Sequence, residues 1–322
     1  MAVVLLRLTV RALERVALPP FKGSMLRGGF GHAFKERACV QRRGPGATGS
    51  ACPRCVFPRI CPFAQVFETS APPGAPKRFA DAPRPFALKV RLDPRSELKP
   101  GERIEFGLAL IGRGIDYLPY FVYGFERLAQ RGLGPRRGRC LLERVEATDG
   151  LAASTVFQAG GGTIQAELRP RTLEDFVRPG AGDRWRLQID LETPLRLEAD
   201  GEVQPDLCFP DFARALLRRI ALLRLFHCAG GLSREAPDQL LAGADLVEVR
   251  RTLRWYDWQR FSSRQQAWMD MGWLVGSLVV EGRPGALLPY LRVGELVNVG
   301  KNATFGLGSY RLKATLAPGA PG

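Results

Sequence analysis

Four of the seven cysteines are crowded into one short part of the chain, with the spacing Cys39-x12-Cys52-x2-Cys55-x5-Cys61. Two thiolates separated by two residues can bind one face of a tetrahedral ion such as Zn²⁺, and the outer two have looser but usable spacing. The surrounding Pro, Gly and Arg residues cannot build a core, so a metal would supply the local fold. Because four thiolate ligands leave no open coordination position, the predicted zinc is structural. Free thiols in a degenerate site are the alternative.

A glycine-rich segment near the end of the chain, residues 297–310, has the composition of an anion-binding loop. Glycine lets backbone N–H groups point together at a phosphate, while Lys, Asn and Thr add a charge and side-chain donors. The spacing is that of neither a Walker A loop nor a dinucleotide-binding fingerprint. We therefore predict a phosphate cradle, with a generic glycine-rich turn as the alternative. Its residues are Gly300, Lys301, Asn302, Thr304, Gly306 and Gly308.

Arginine and aromatic residues are interleaved over residues 250–264. Alternate residues of a strand lie on the same face, and a face of arginines and aromatic rings suits phosphate contact and base stacking. The alternative is that the aromatic side chains fill the core. The residues concerned are Arg254, Tyr256, Trp258, Arg260 and, just after the predicted strand, Arg264.

The composition favours a polyanionic partner. The chain has 322 residues, with 47 Lys plus Arg against 32 Asp plus Glu, a net charge of +15 and a pI near 10.1. Nucleic acid is the first candidate and an anionic membrane surface the second. Arginine outnumbers lysine 40 to 7, which a GC-rich genome could explain, although such a bias does not explain the net charge. A hydrophobic content of 45% is enough for a core and excludes a disordered chain.

No apolar run is long enough to span a membrane, and the apolar start of the chain is interrupted early by Arg7 and Arg11. We therefore expect a cytoplasmic protein. An odd number of cysteines in such a chain argues against a disulfide framework. Cys140, Cys208 and Cys228 lie among apolar residues and are predicted to be core thiols.

The first half of the chain has the element order strand, helix, strand, strand, helix, strand. We predict strands over 3–10, 85–92, 102–111 and 139–147, and helices over 25–37 and 116–131. Ser24 is the predicted N-cap of the first helix. Three glycines in that helix, at positions 28, 29 and 31, indicate close approach by another backbone. Residues 40–84 are predicted to be an irregular insertion.

The second half repeats this order, with strands predicted over 184–199, 246–261, 268–281 and 309–316 and helices over 210–229 and 286–296. The order is that of the ferredoxin-like unit. We therefore predict an α+β protein with two tandem ferredoxin-like (RRM-like) domains. The first comprises residues 1–147, with a Cys-rich insertion over about 39–84, and the second comprises residues 148–322, with the glycine-rich loop at 300–308.

The sequence resembles the repeat-associated (RAMP) proteins of CRISPR systems, and within them the precursor-crRNA-processing endoribonuclease. The C-terminal glycine-rich signature is shared with noncatalytic RAMP subunits, while its combination with the N-terminal motif is more specific. The resemblance is dense over about 185–316 and patchier before. The segments that carry it are Leu26–Ala33, Cys61–Thr69, Asp257–Gln266, Met271–Gly276, Leu291–Glu295 and Gly300–Tyr310.

The resemblance implies an enzyme that binds CRISPR repeat RNA and cuts it once without a metal. The ribose 2′-OH is the nucleophile and the adjacent phosphate is the target, which gives a 2′,3′-cyclic phosphate and a 5′-OH. The protein must align these groups, move two protons and stabilise charge on phosphorus. DNA lacks the 2′-OH and cannot react.

Histidine suits such proton transfer because it titrates near neutral pH. The chain has two, and His227, near the end of an apolar helix, is predicted to be structural. His32 is the predicted general acid or base, with Lys35 or Arg27 stabilising the phosphorane; a surface or packing histidine is the alternative. Where many relatives carry a His just before the glycine-rich loop, this chain has Asn298. The residues predicted to bind RNA are Arg27, Arg260, Arg264, Gly300, Lys301, Asn302, Thr304, Gly306 and Gly308.

Two other functions stay open from the sequence. A noncatalytic RAMP-type subunit that holds crRNA in an effector complex would keep the loop and the charge but need no histidine. A zinc-binding RNA-binding protein unrelated to CRISPR would make the C-terminal match a coincidence. The expected partners are CRISPR repeat RNA or crRNA and, in an effector complex, other Cas subunits; no membrane is expected.

Overall fold

The computed structural model describes residues 1–39, 60–69, 82–149, 152–162, 164, 167–176, 180, 183–199, 202–228, 236–262 and 267–317. For residues 199, 202, 236, 258–262 and 267–271 only the backbone is described. The chain divides into two compact units. The first comprises Met1–Arg171 with Leu222–Gly231, and the second comprises Thr172–Ala221 with Leu232–Gly322.

The first unit is built on a five-stranded antiparallel sheet with the strand order β3-β5-β1-β6-β7. Apolar and polar residues alternate along the central strand β1, so that Leu6, Leu8 and Val10 enter the core while Arg7 and Arg11 lie on the opposite face. The strands of this sheet are β1 (Val3–Ala12), β3 (Phe86–Lys89), β5 (Arg103–Ile111), β6 (Cys140–Thr148) and β7 (Ala153–Gln158). Two short strands, β2 (Val16–Ala17) and β4 (Glu97–Leu98), pair separately.

Three helices belong to the core of the first unit: α1 (Lys22–Ala38), α2 (Pro62–Phe67) and α3 (Leu118–Arg131). Phenylalanines fill the space among them, and the Phe30 and Phe125 rings stack with their centroids 4.1 Å apart. A Cβ at Gly29 would lie 2.4 Å from Leu128 Cδ1. Close approach is thus found at Gly29, but its neighbour is a side chain of α3 and not another backbone. Gly28 meets nothing within 4 Å, and Gly31 meets only side chains.

Helix α1 begins earlier than predicted, and Ser24 is not its N-cap. Phe21 takes that position, with extended backbone, and Ser24 lies in the first turn. The reason is Lys22, whose side chain is 1% exposed. Its ammonium donates to the carbonyl oxygens of Asp93 and, at 2.7 Å, Arg95, and so anchors the first turn to a distant loop.

The second unit contains a four-stranded antiparallel sheet with the order β11-β14-β8-β15. Its strands are β8 (Trp185–Leu191), β11 (Asp245–Arg251), β14 (Ser277–Arg283) and β15 (Tyr310–Leu316). The helices are α4 (Phe209–His227), whose last turn belongs to the first unit, α5 (Ala236–Ala242) and α6 (Leu287–Val297). A separate hairpin joins β12 (Arg254–Ser262) to β13 (Ala267–Val275), and short β9 (Glu198–Ala199) pairs with β10 (Glu202–Val203).

Three predicted strands of this unit are wrong in extent. The segment 184–199 leaves its sheet after Leu191, because Pro194 lacks the N–H that a ladder needs. The segments 246–261 and 268–281 are each two strands. The second breaks at Gly276, whose φ is 126° and whose Cβ would lie 2.2 Å from the Thr252 carbonyl oxygen. These breaks separate the hairpin from the sheet.

Both sheets are antiparallel and combine with helices, which confirms the mixed α/β class and agrees with ferredoxin-like folds. In both units the main elements follow the order β-α-β-β-α-β, with additions. That these are tandem domains divided at residues 147 and 148 stays a prediction. The insertion over 39–84 falls largely outside the described residues. Among the described helices, none has both the length and the apolar character to cross a bilayer.

Candidate functional site

His32 lies on the exposed face of α1, one turn after Gly28. A Cβ at Gly28 would meet nothing within 4 Å, so the surface beside the imidazole is open. Lys35 is half-buried, and its ammonium lies 5.1 Å from the centroid of the Phe63 ring. The structure thus gives His32 solvent access and directs Lys35 toward α2.

Arg27 is placed differently from His32. Its guanidinium carbon lies 4.9 Å from the centroid of the Phe67 ring and 5.8 Å from that of Phe86. Burial, with a smaller contribution from the charge of Arg84, lowers the pKa of Arg27 to about 9. Since α1 turns by about 100° per residue, Arg27 and His32 lie on different sides of the helix. The contribution of Arg27 to RNA binding stays a prediction.

A charged cluster that the sequence analysis missed stands on the α3 side of α1. Glu36 accepts from Arg127 Nε at 3.2 Å and also from Arg131 Nη1. Glu36 lies one turn after His32 on α1. Gly29, which contacts Leu128 of α3, lies three residues before His32. His32 therefore lies between two points at which α1 meets the last turns of α3. The i, i+4 spacing of the two arginines could have indicated a charged pair on one face of a helix. Only the packing of α3 against α1 shows that this pair lies near His32.

The glycine-rich segment, residues 297–310, folds back against residues 193–198, and we call this arrangement the clasp. The N–H of Lys301 donates to the Arg196 carbonyl at 3.0 Å, and that of Gly308 donates to Pro194 at 2.9 Å. The buried Thr193 hydroxyl donates to the Gly306 carbonyl at 2.8 Å and accepts from Ser309 N–H at 2.9 Å. Several N–H groups that a phosphate cradle would use are therefore occupied by protein acceptors.

Backbone geometry explains the glycines of the clasp. Gly308 has φ 68°, and a Cβ there would lie 1.8 Å from the Val299 carbonyl oxygen. Asn298 also has positive φ, at 60°, and its buried amide donates to the Ala303 carbonyl at 3.0 Å. Asn298 thus closes the loop through its own side chain. The Lys301 ammonium lies at the surface, 2.7 Å from Glu198 Oε2.

Arg219 of α4 supports the start of this clasp, and the sequence gave no signal for it. Its Nε donates to the carbonyl oxygens of Val297 at 3.0 Å and Asn298 at 3.1 Å. These carbonyls end α6, where the helix dipole favours a cation. Burial lowers the pKa of Arg219 to about 10.

The hairpin of the second unit exposes part of the predicted arginine and aromatic face. Arg254 is exposed and Tyr256 is 50% exposed, so the alternative that Tyr256 fills the core is wrong. Trp255 packs over Gly272, and its indole N–H donates to Asp257 at 2.6 Å. The side chains of Trp258 and Arg260 and all of Arg264 lie outside the described residues, so their contacts with RNA stay predictions.

The predicted zinc ligands are only partly described. Cys39 is the C-cap residue of α1 and Cys61 the N-cap residue of α2, while Cys52 and Cys55 lie outside the described residues. Within the described part of the chain, no group of three or more His, Cys, Asp or Glu could hold a metal. The structural zinc therefore stays a prediction. Cys140 is 2% exposed, and burial raises the pKa of its thiol to about 11.

His227 is 2% exposed, and a ring nitrogen lies 2.5 Å from the Pro83 carbonyl oxygen. Both residues belong to the first unit. This burial agrees with the structural role predicted for His227. Of the chain's two histidines, only His32 is exposed.

Two family models match the sequence. A model described as an N-terminal domain, AF_1859_N, matches residues 1–169, and the model of the CRISPR-associated endoribonuclease Cas6 matches residues 189–310. The chain is 22% identical over 304 residues to an uncharacterized protein of Archaeoglobus fulgidus, with 92% of this chain and 93% of that protein covered.

Solved Cas6 structures have a similar fold. A Cas6 product complex matches with a TM-score of 0.58 and 15% identity, covering 97% of this chain and 100% of that chain. Cas6 of Thermus thermophilus matches with a TM-score of 0.53 and 14% identity, covering 97% and 98%. A partial Cas6-RT-Cas1–Cas2 complex matches with a TM-score of 0.54 and 13% identity, covering 100% of this chain and 48% of that chain. The chain therefore belongs to the AF_1859_N family, whose model covers residues 1–169, and over residues 189–310 it is similar to the CRISPR-associated, RNA-processing Cas6 endoribonucleases.

Proposed function

We propose that the chain is an endoribonuclease that cleaves CRISPR repeat RNA within precursor crRNA, with His32 as its general acid or base. One observation carries the assignment of His32. It stands exposed on α1 beside the open surface at Gly28, whereas His227 is buried against a backbone carbonyl. Proton transfer requires a group that can reach the substrate, and His32 is the histidine that meets this condition.

The RNA and the protein together supply every group that the proposed reaction needs. The 2′-OH attacks the adjacent phosphorus and the 5′-oxygen leaves, so one proton is removed and another is supplied. His32 performs one of these transfers, and a cation stabilises the charge that develops on the phosphorane. The products carry a 2′,3′-cyclic phosphate and a 5′-OH. Lys35, three residues from His32, is the cation proposed for this role.

RNA binding is proposed for two surfaces of the second unit. Arg254 and Tyr256 on the hairpin offer a guanidinium and a ring for phosphate contact and stacking, and the backbone places Arg260 further along the same strand. In the glycine-rich clasp, Lys301 presents its ammonium at the surface beside Asn302. The net charge of +15 supports association with a polyanion.

The test uses the CRISPR repeat RNA of the same genome, in EDTA, next to the same RNA with one 2′-deoxy at the scissile position. We expect cleavage of the first RNA only, leaving a cyclic phosphate. His32→Ala should lower the cleavage rate by about 10²–10⁴-fold while RNA affinity stays nearly unchanged. Lys35→Met tests the cation and should lower the rate but not the affinity.

Undiminished cleavage by His32→Ala would remove the catalytic assignment. Tight binding without cleavage by the unaltered protein would instead favour the crRNA-holding subunit of an effector complex. A match to a complex that contains Cas1 and Cas2 supports testing other Cas proteins as partners. Zinc is proposed as a structural ion held by Cys39, Cys52, Cys55 and Cys61. Elemental analysis should find about one equivalent of Zn per chain, and less than half an equivalent would contradict the site.

A further inference from the structure

A pair of arginines stands beside His32 in an arrangement suited to an RNA phosphate. Arg127 and Arg131 lie one turn apart on α3, and both donate to Glu36 of α1. One carboxylate serves two guanidinium groups, so the cluster keeps a net positive charge. Arg127 and Arg131 are 43% and 37% exposed, so both can reach a ligand in solution.

The helix geometry places this cluster on the same side of α1 as His32. Viewed down the axis of α1, Gly29 lies about 60° and Glu36 about 40° from His32, both in the same direction around the helix. Gly29 contacts Leu128, and Glu36 contacts the two arginines. Lys35 is turned the other way, toward Phe63 of α2. Arg127 and Arg131 therefore lie on the side of α1 toward which Glu36 is turned, one helical turn from His32.

The surface around the cluster continues in a form that suits a nucleic-acid strand. Tyr123, one turn before Arg127 on α3, is an exposed aromatic at 38%. The open space at Gly28 lets a backbone come close to α1 beside His32. A guanidinium can hold a phosphate through two parallel N–H···O bonds, and a tyrosine ring can stack on a base.

We propose that Arg127 and Arg131, oriented by Glu36, bind a phosphate of the RNA backbone next to His32. This inference rests on the proposed function and adds a binding site to it. The arginines contact the substrate, and Glu36 is a positioning residue. Exposed ion pairs add little to folding stability, so the cluster can be altered without loss of the fold.

The first unit supplies a matched control. Glu143 pairs with Arg103 at 2.6 Å and Arg11 at 3.8 Å, again two arginines on one carboxylate. This cluster lies on the strands, on the face of β1 opposite the core. Arg127→Gln/Arg131→Gln and Arg11→Gln/Arg103→Gln remove the same charge, so only the location differs.

The experiment measures the dissociation constant and its salt dependence with the 2′-deoxy repeat RNA. The α3 double variant should lose at least tenfold in affinity, and the magnitude of its slope of log K against log salt should fall by about 0.7, the value for one phosphate on a single strand. The control should lose less than threefold. Glu36→Gln keeps a side-chain oxygen that can accept from the arginines but removes the negative charge that competes with the phosphate, so it should bind severalfold tighter. Glu143→Gln should bind like the unaltered protein.

Equal losses in both double variants would show only a general effect of charge and would overturn the site. Unchanged affinity in the α3 double variant would overturn it too. If the unaltered protein neither binds nor cuts repeat RNA, the proposed function fails and this inference fails with it. Thermal unfolding of each variant checks that the fold is kept.

Discussion

Two neighbouring glycines of α1 should respond oppositely to the same substitution. Gly28→Ala adds a methyl group into open space, because nothing lies within 4 Å of its Cβ position. Alanine is favoured over glycine in a helix by about 1 kcal/mol, so this variant should be more stable by up to that amount. For a unit of this size, about 1 kcal/mol raises Tm by about 2–4 °C.

Gly29→Ala gains the same helix propensity but places its methyl 2.4 Å from Leu128 Cδ1. Leu128 is 6% exposed, so it has little room to move aside. Overpacking of this kind costs about 1–3 kcal/mol. We therefore expect the free energy of unfolding of Gly29→Ala to be about 1–3 kcal/mol lower than that of Gly28→Ala. Gly29→Ala should be no more stable than the unaltered protein.

The assay is thermal and urea unfolding followed by far-UV circular dichroism, with both variants made in the same background. The two substitutions are chemically identical and adjacent in one helix, so helix propensity cancels in their difference. Equal stabilisation by both would refute the packing of α1 against α3, and with it the placement of His32 beside Arg127 and Arg131.

Three further outcomes test the clasp and the core. Gly308→Ala should lower the free energy of unfolding by more than about 3 kcal/mol, because its Cβ would lie 1.8 Å from a backbone oxygen. Gly101→Ala, at a similar φ of 90° but with open space around it, should lower it by about 1 kcal/mol. Equal losses in thermal unfolding would contradict the folding of the clasp. Thr193→Val keeps the shape but removes both hydroxyl hydrogen bonds, so it should cost about 1–3 kcal/mol in urea unfolding; an unchanged midpoint would be contrary evidence. With its pKa raised to about 11, Cys140 should stay protonated at pH 8 and resist iodoacetamide until the chain unfolds, as peptide mass mapping would show; rapid native labelling would argue against its burial.

Local patterns predicted most helices and strands, because alternation and helical periodicity reflect which side of an element is buried. Helix α6 was predicted over 286–296 and runs over Leu287–Val297. Boundaries failed where a distant residue determines them. Lys22 starts α1 by binding carbonyls at Asp93 and Arg95, and Gly276 ends a strand by approaching Thr252. No local pattern reports such partners.

The sequence by itself determined the charge, the single motif-bearing histidine His32 and the family resemblance that the Cas6 model confirms. These follow from residue types and their order along one chain. Only the tertiary structure decided which groups accompany His32, since Glu36 and Arg131 are 95 residues apart in sequence. Likewise, the glycine-rich segment has the composition of a phosphate cradle, but its N–H groups bond to residues 193–196, more than a hundred positions earlier. Composition fixes what a group can do, while long-range packing decides which of its bonds remain for a ligand.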